Sequence, residues 1–336
     1  MRSFALFCLK VDVDKAALTM PASGKKENLV LRHRSDLRTL LFIASYFITL
    51  TFLWLHPPAH WWGGAVGVVV LSSIAWFNAV ITHNVVHYPL WHSRIFNRVT
   101  QVALSLTYGF PVSDYLPGHN LSHHRYTQTR RDVMRTTKVQ FHFNLLNALT
   151  FFFFVAFDVA AANGKYARFA GGQWRAWSRQ RWLEAAVTWS VKLVLFYIDW
   201  KKAFLFVLIP HLWAVWSITT VNYLQHDGCD ADHPYNHSRN FVGRIFNWFH
   251  FNAGYHGIHH SQPGLHWSHL PQMHAQQLAP YIHPALEQRS LVVYLWRTFI
   301  RPGQRVRYDM TPVILPLEGP DEDWIGGTLH TEAGAT

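Results

Sequence analysis

The chain alternates between long apolar runs and short segments crowded with histidine, proline and arginine. The first run, Thr39 to Leu55, would measure roughly 25 Å as a helix at about 1.5 Å per residue, enough with its flanks to cross a bilayer. His56-Pro57-Pro58 stops it. A second run, Gly63 to Ile81, is rich in small residues at its start, which permits close helix contact, and leads directly into His83. Asn144 to Ala162 contains four consecutive phenylalanines, Leu183 to Ile198 carries Glu184 and Lys192, and Ala203 to Val221 is apolar despite Pro210 and His211. This pattern predicts an all-α integral membrane protein.

Histidines cluster just past the second run, at 119–124, at 226 and at 256–260. They can share a site only if they emerge on one side of the bilayer, so an even number of crossings must separate the first cluster from the third. Counting all three later runs gives three crossings. We therefore expect a four-span helical bundle with spans at about 39–56, 63–81, 183–198 and 203–221, and 144–162 laid in the interface or re-entrant. The basic residues near 32–38, 94–98, 125–138, 168–181 and 239–244 then fall on one side, the cytoplasmic one by the positive-inside bias. Lys201 and Lys202 fall on the other side, against that bias. Both termini and a helical cap holding the histidines are expected on the cytoplasmic face, most simply of the inner membrane. Residues 1–36 read as a polar tail, 37–275 as the membrane domain, 276–315 as an interfacial segment with a helix near 285–300, and 316–336 as an acidic disordered tail.

Composition sharpens this picture. Half of the 336 residues are hydrophobic and 15% are charged, against about 25% charged in soluble domains. The formal charge of +11 is spread between apolar blocks rather than gathered in a basic domain, which argues for an anionic leaflet and against nucleic acid. Two cysteines, Cys8 and Cys229, exclude a disulfide scaffold and a four-cysteine metal site.

In helical form His83 and His87 stand at i, i+4, and His256, His259 and His260 at i, i+3, i+4 on one face. His119, His123 and His124 form H-x-x-x-H-H, and His226 follows Asn222 by one turn. Nine imidazoles are too many for one ion and divide into four and five. A catalytic zinc usually takes three protein ligands and water; iron accepts imidazole and handles O2 chemistry. Asp227, beside His226, is placed behind the ligands as the group holding an imidazole tautomer. A transporter passing metal along buried polar residues would place ligands inside the spans, whereas these lie at span ends and in loops.

His83-Asn-Val-Val-His87, His119-Asn-Leu-Ser-His123-His124 and His256-Gly-Ile-His259-His260 resemble the three histidine boxes of the membrane fatty acid desaturase superfamily. The resemblance covers residues 37–275. It implies a cytosolic cap with two irons, His226 as the extra ligand at the end of the fourth span, and Asn222 holding a water near one iron. It further implies O2 as co-substrate and two electrons from a separate electron-transfer protein and reductase. The substrate would be a fatty acyl or lipid chain attacked at an unactivated C–H bond to give a double bond.

Hydroxylation of an alkane or lipid chain and terminal-alkene-forming decarboxylation remain open on the same scaffold. Asn222-Tyr-Leu-Gln-His226 is similar to an alkane hydroxylase signature with glutamine in place of its acid at 225, whereas Phe251-Asn-Ala-Gly-Tyr-His256 resembles lipid desaturases. His266 and His269 follow the third box and are expected behind the ligands or at the substrate headgroup. Trp76, Phe77, Tyr108, Phe110, Trp248 and Phe249 are expected to wall the site from water, and Arg125, Arg130, Arg131 and Arg135 to meet an acidic electron donor or a phosphorylated acyl carrier.

Overall fold

The computed structural model describes residues 30–173, 175–301, 303–315 and 319–325. Most of the expected polar tail at 1–36, and much of the acidic tail at 316–336, lie outside the described residues. The described residues are mainly helical: α1 (Asp36–Leu55), α2 (Trp61–His87), α3 (Arg94–Tyr108), α4 (Asn144–Gln173), α5 (Arg175–Ile198) and α6 (Trp200–His226, with a π-turn at Phe204–Leu208). Short helices α7 (Arg244–Phe249), α8 (His256–Ser261) and α9 (Leu291–Ile300) follow, with one two-residue parallel pairing of Asn240-Phe241 on Glu287-Gln288.

α2 and α6 each run 27 residues, about 40 Å at 1.5 Å per residue, roughly 10 Å more than a hydrocarbon core. That surplus carries His83, His87 and His226 beyond the apolar layer. The two helices pack closely, and Gly67 admits Leu53 and Phe206 at a distance a larger residue would crowd. Tyr46 on α1 meets His211 on α6 at 2.7 Å, and Asn78 on α2 donates to the Phe42 carbonyl. Leu41, Ile48, Phe52, Val66 and Val69 are exposed on the outer face of α1 and α2, an apolar surface suited to lipid.

Among the described residues, four helices are long and apolar enough to cross a membrane: α1, α2, residues Asn144–Ala170 of α4, and α6. On this criterion the expectation for the middle of the chain is reversed, since α4 qualifies and α5 does not. Arg175, Arg179, Arg181, Glu184 and Lys192 dilute the apolar run of α5. The start of α4 meets the end of α6, where Asn144 donates to Asp227 and accepts from Tyr223. Farther along, Val159 abuts Gly118, and Tyr166 stacks near Trp324. Both halves of α4 thus touch the histidine-bearing region. α5 instead begins beside it, with Trp177 donating to the Ser113 carbonyl and Arg181 paired with Asp114. α5 ends next to Asp199 and Lys202, and Lys202 caps the Trp54 carbonyl at the opposite end of α1.

The acidic tail departs from expectation where it is described. Residues 319–325 are packed: Asp321 pairs with Arg135 and Lys138, and Trp324 and Ile325 are buried with Leu121, Val133, Ala162 and Tyr166. Its acidic composition favours disorder, but Asp321 meets the buried side chains of Arg135 and Lys138, and two apolar residues anchor the segment.

Candidate metal centre

The nine histidines converge in two groups, within each of which the candidate donor nitrogens lie within 4.8 Å of one another. The first holds His83, His87, His119, His124 and His259; the second holds His123, His226, His256 and His260. Helix geometry explains the partition. His83 and His87, one turn apart on α2, enter the first group together. His256 and His260 share one side of α8 and enter the second, whereas His259 turns to the first, so the third box straddles both groups rather than presenting one face. The second box departs most from the α-spacing assumed for it. Leu116–His123 is a π-helix, and the His124 N–H bonds to the His119 carbonyl, five residues back. That wider turn sets His119 edge-on beside His124 in one group and sends His123 to the other.

The loop entering the third box is strained. Phe251 (φ 48°) and Asn252 (φ 59°) occupy left-handed backbone, which costs a non-glycine residue about 1–3 kcal/mol. Phe251 is held there by full burial, with the Arg38 guanidinium 4.7 Å above its ring, and Asn252 donates to the Trp267 carbonyl.

Ring nitrogens meet head-on inside the groups. His124 Nε2 lies 3.1 Å from both His119 Nε2 and His259 Nε2, and His226 Nε2 lies 2.9 Å from His256 Nε2 and 3.1 Å from His260 Nε2. Two imidazoles at right angles on one ion, at about 2.1 Å as in zinc–imidazole bonds, would stand about 3.0 Å apart. His83 Nε2, His87 Nε2 and His123 Nε2 are buried without a hydrogen-bond partner. Burial, and then the neighbouring imidazoles, hold His119, His124, His256, His259 and His260 well below the usual histidine range, so they present lone pairs. Converging neutral lone pairs repel unless a cation lies among them. These residues therefore fit two metal ions.

The groups behind the ligands are mostly not those expected. His123 Nδ1–H donates to Asp132 Oδ2 at 2.9 Å, and both side chains are fully buried. The same carboxylate accepts from the Gln128 and Met134 amides. His83 Nδ1–H donates to Asn84 Oδ1, the Asn120 amide lies against His87 Nδ1, and Thr127 Oγ1 lies 3.5 Å from His260 Nδ1. Asp227 does not hold the His226 ring. Its carboxylate receives Arg305 and Asn144 instead, because the chain after α9 brings Arg305 back beneath α6. Nothing in the local sequence marked Asp132 or Arg305. Adjacency in sequence points to Asp227 for the proton-holding role, but side chains at adjacent helical positions diverge.

His266 and His269 lie outside both groups. His266 Nε2 meets Asp36 at 3.2 Å and its ring stacks on His33, while His269 sits edge-on to His33. Of the four arginines expected to face a partner, Arg135 is 3% exposed and bound to Asp321, and Arg131 pairs with Glu322. Arg125, Arg130 and Arg131 remain exposed.

Two pockets abut the centre. One runs between α1, α2 and the loop after α8, and is lined by His87, His259 and His266. The other is a narrow pocket between α2, α6 and α7; Trp76, Val80, Tyr115, Ile218, Val221 and Phe246 surround His83, His119 and His256. Asn222 lines this second pocket with its Nδ2 unpartnered, outside either histidine group. Of the residues expected to wall the site, Trp76 does so; Phe77 stacks on Phe249, and Phe110 packs on Trp189.

A search of the curated proteins finds no match. The profile of the fatty acid desaturase family matches residues 59–290, which contain all nine clustered histidines. With boxes, apolar spans and paired metal-binding groups in agreement, the chain is a membrane-embedded oxidoreductase that belongs to the fatty acid desaturase family.

Proposed function

We propose that the protein is an O2-dependent di-iron enzyme that introduces a double bond into a fatty acyl or lipid chain. The observation that carries this is the convergence of nine imidazoles, in groups of five and four, beside an apolar pocket that reaches both groups. When bound, the iron pair supplies the oxidising power that O2 and two electrons provide for attack on an unactivated C–H bond. The protein's part is positional. His83, His87, His119, His124 and His259 would hold one ion and His123, His226, His256 and His260 the other, with Asn222 holding a water at the pocket's edge. Asp132 keeps the proton of His123 on Nδ1, so that its Nε2 faces the second group. Val80, Ile218, Val221 and Phe246 line the pocket that would take the chain, and they exclude water from the C–H bond under attack.

We further infer that α1, α2, α5 and α6 make the four crossings and that α4 lies along the cap. Both halves of α4 touch cap residues, whereas α5 links the cap to the far end of α1. On this reading the site and both termini face the cytoplasm, as the positive-inside bias asks, and the membrane is the inner one. Val292 and Trp296 on α9 point outward, as an interfacial helix requires, while Tyr294 and Phe299 are buried. Electrons would come from a separate carrier and reductase. Feeding saturated fatty acids to cells that make the protein, followed by mass spectrometry, tests the reading. An alkene of unchanged chain length supports desaturation; an alcohol, or a terminal alkene one carbon shorter, replaces it with hydroxylation or decarboxylation.

A further inference from the structure

The pocket shared by the two histidine groups is not purely apolar. His250, whose side chain lines it, is 6% exposed, and its Nδ1–H donates to the Phe246 carbonyl at 2.9 Å. A ring whose Nδ1 carries the proton offers Nε2 as an acceptor, and this Nε2 is buried with no partner. Trp76, whose ring meets His250 edge-on at 4.3 Å, presents an unpartnered Nε1–H in the same pocket. A donor and an acceptor left facing a plain hydrocarbon would each go unsatisfied, which is costly in a buried site. One group satisfies both: an O–H, which gives a proton to one neighbour and takes a hydrogen bond from the other.

Resting on the proposed oxidation of a chain at this centre, we propose that the pocket receives the polar end of the substrate. An alcohol or un-ionised carboxyl O–H donates to His250 Nε2 and accepts from Trp76 Nε1, so that oxidation falls within a few carbons of that end. Burial favours the un-ionised acid over its anion. Because the pocket is also lined by His83, His119 and His256, the polar end and the attacked carbon share one chamber. The middle of the chain is then not the part held there.

The test uses the full-length protein in detergent with its metal ions bound. Binding is measured by competition against a labelled saturated fatty acid, using the acid, the primary alcohol, the methyl ester and the methyl ether of equal length. The free acid or alcohol should bind at least about tenfold more tightly than its methyl-capped form. Whichever of the two binds better identifies the end group. His250→Phe and Trp76→Phe should each bring that ratio toward one while keeping two metal ions per chain. Two variants are used so that misfolding of one leaves the other informative. Equal binding of free and capped forms, an unchanged ratio in both variants, or a product oxidised in mid-chain would overturn the inference. Paired metal and turnover without end-group preference removes this inference alone; a protein that holds no paired metal and oxidises no chain removes the proposed function as well.

Discussion

Replacing Asp132 with asparagine probes how the second histidine group is held. The change keeps the shape and removes one acceptor and the charge. In the native site one carboxylate oxygen accepts from His123 Nδ1 and the Gln128 amide, and the other accepts from the Met134 amide. An asparagine can turn its oxygen to one side only, so its NH2 must face an N–H in either orientation. Hydrogen bonds to a charged group contribute about 1.5–3 kcal/mol each, and a buried unsatisfied donor costs about 1–3 kcal/mol. A net loss of about 2–3 kcal/mol corresponds to roughly 30- to 150-fold weaker binding, within the range of about 10- to 100-fold seen when an outer partner of a metal-bound histidine is removed. Chelator titration of the iron-loaded protein reads this directly. One of the two ions should leave Asp132→Asn at a roughly hundredfold lower chelator concentration than in wild type, and the other at the wild-type concentration. Release of both ions at wild-type concentrations would refute the role assigned to Asp132.

Three further outcomes follow from the same structure. Arg305→Met leaves Asp227 buried with its main partner gone and should destabilise the fold by about 3–5 kcal/mol. Read by thermal melting, that loss should appear with little change in iron content, since Asp227 does not touch His226. Trp324→Ala should cost about 3–5 kcal/mol, because the ring is buried against Tyr166; a melt equal to wild type would show that residues 319–325 contribute nothing. His250 is held by burial at about 4, below the ordinary 6.5. The unfolded chain therefore takes up its proton first, so stability is full above pH 6.5 and falls between 6.5 and about 4, by about 3 kcal/mol. His250→Phe should flatten that part of the pH dependence of unfolding.

The spacing of the boxes made the metal centre legible before any coordinates, because i, i+4 pairs such as His83 and His87 face one way on any α-helix. The division among the groups was less accessible. It depends on the π-turn at Leu116–His123, which sets His119 beside His124, and on α8 lying between the groups so that His259 and His260 point apart. Asp132 and Arg305 were invisible for another reason. Each reaches its partner across a turn or a long return of chain, and neither carries a periodic signal. The packing of 319–325 is not legible in its acidic composition, because its partners Arg135 and Lys138 lie some 180 residues earlier in the chain.

Occupation of the two histidine groups by two irons can be read from group-specific variants combined with iron analysis and iron-edge X-ray absorption. Wild type should bind two irons per chain in shells of nitrogen at about 2.1 Å. His87→Ala should preferentially lose the ion of the five-histidine group, and His226→Ala that of the four-histidine group. A single ion per chain, or loss of both ions in equal measure from either variant, would rule out two separate iron sites.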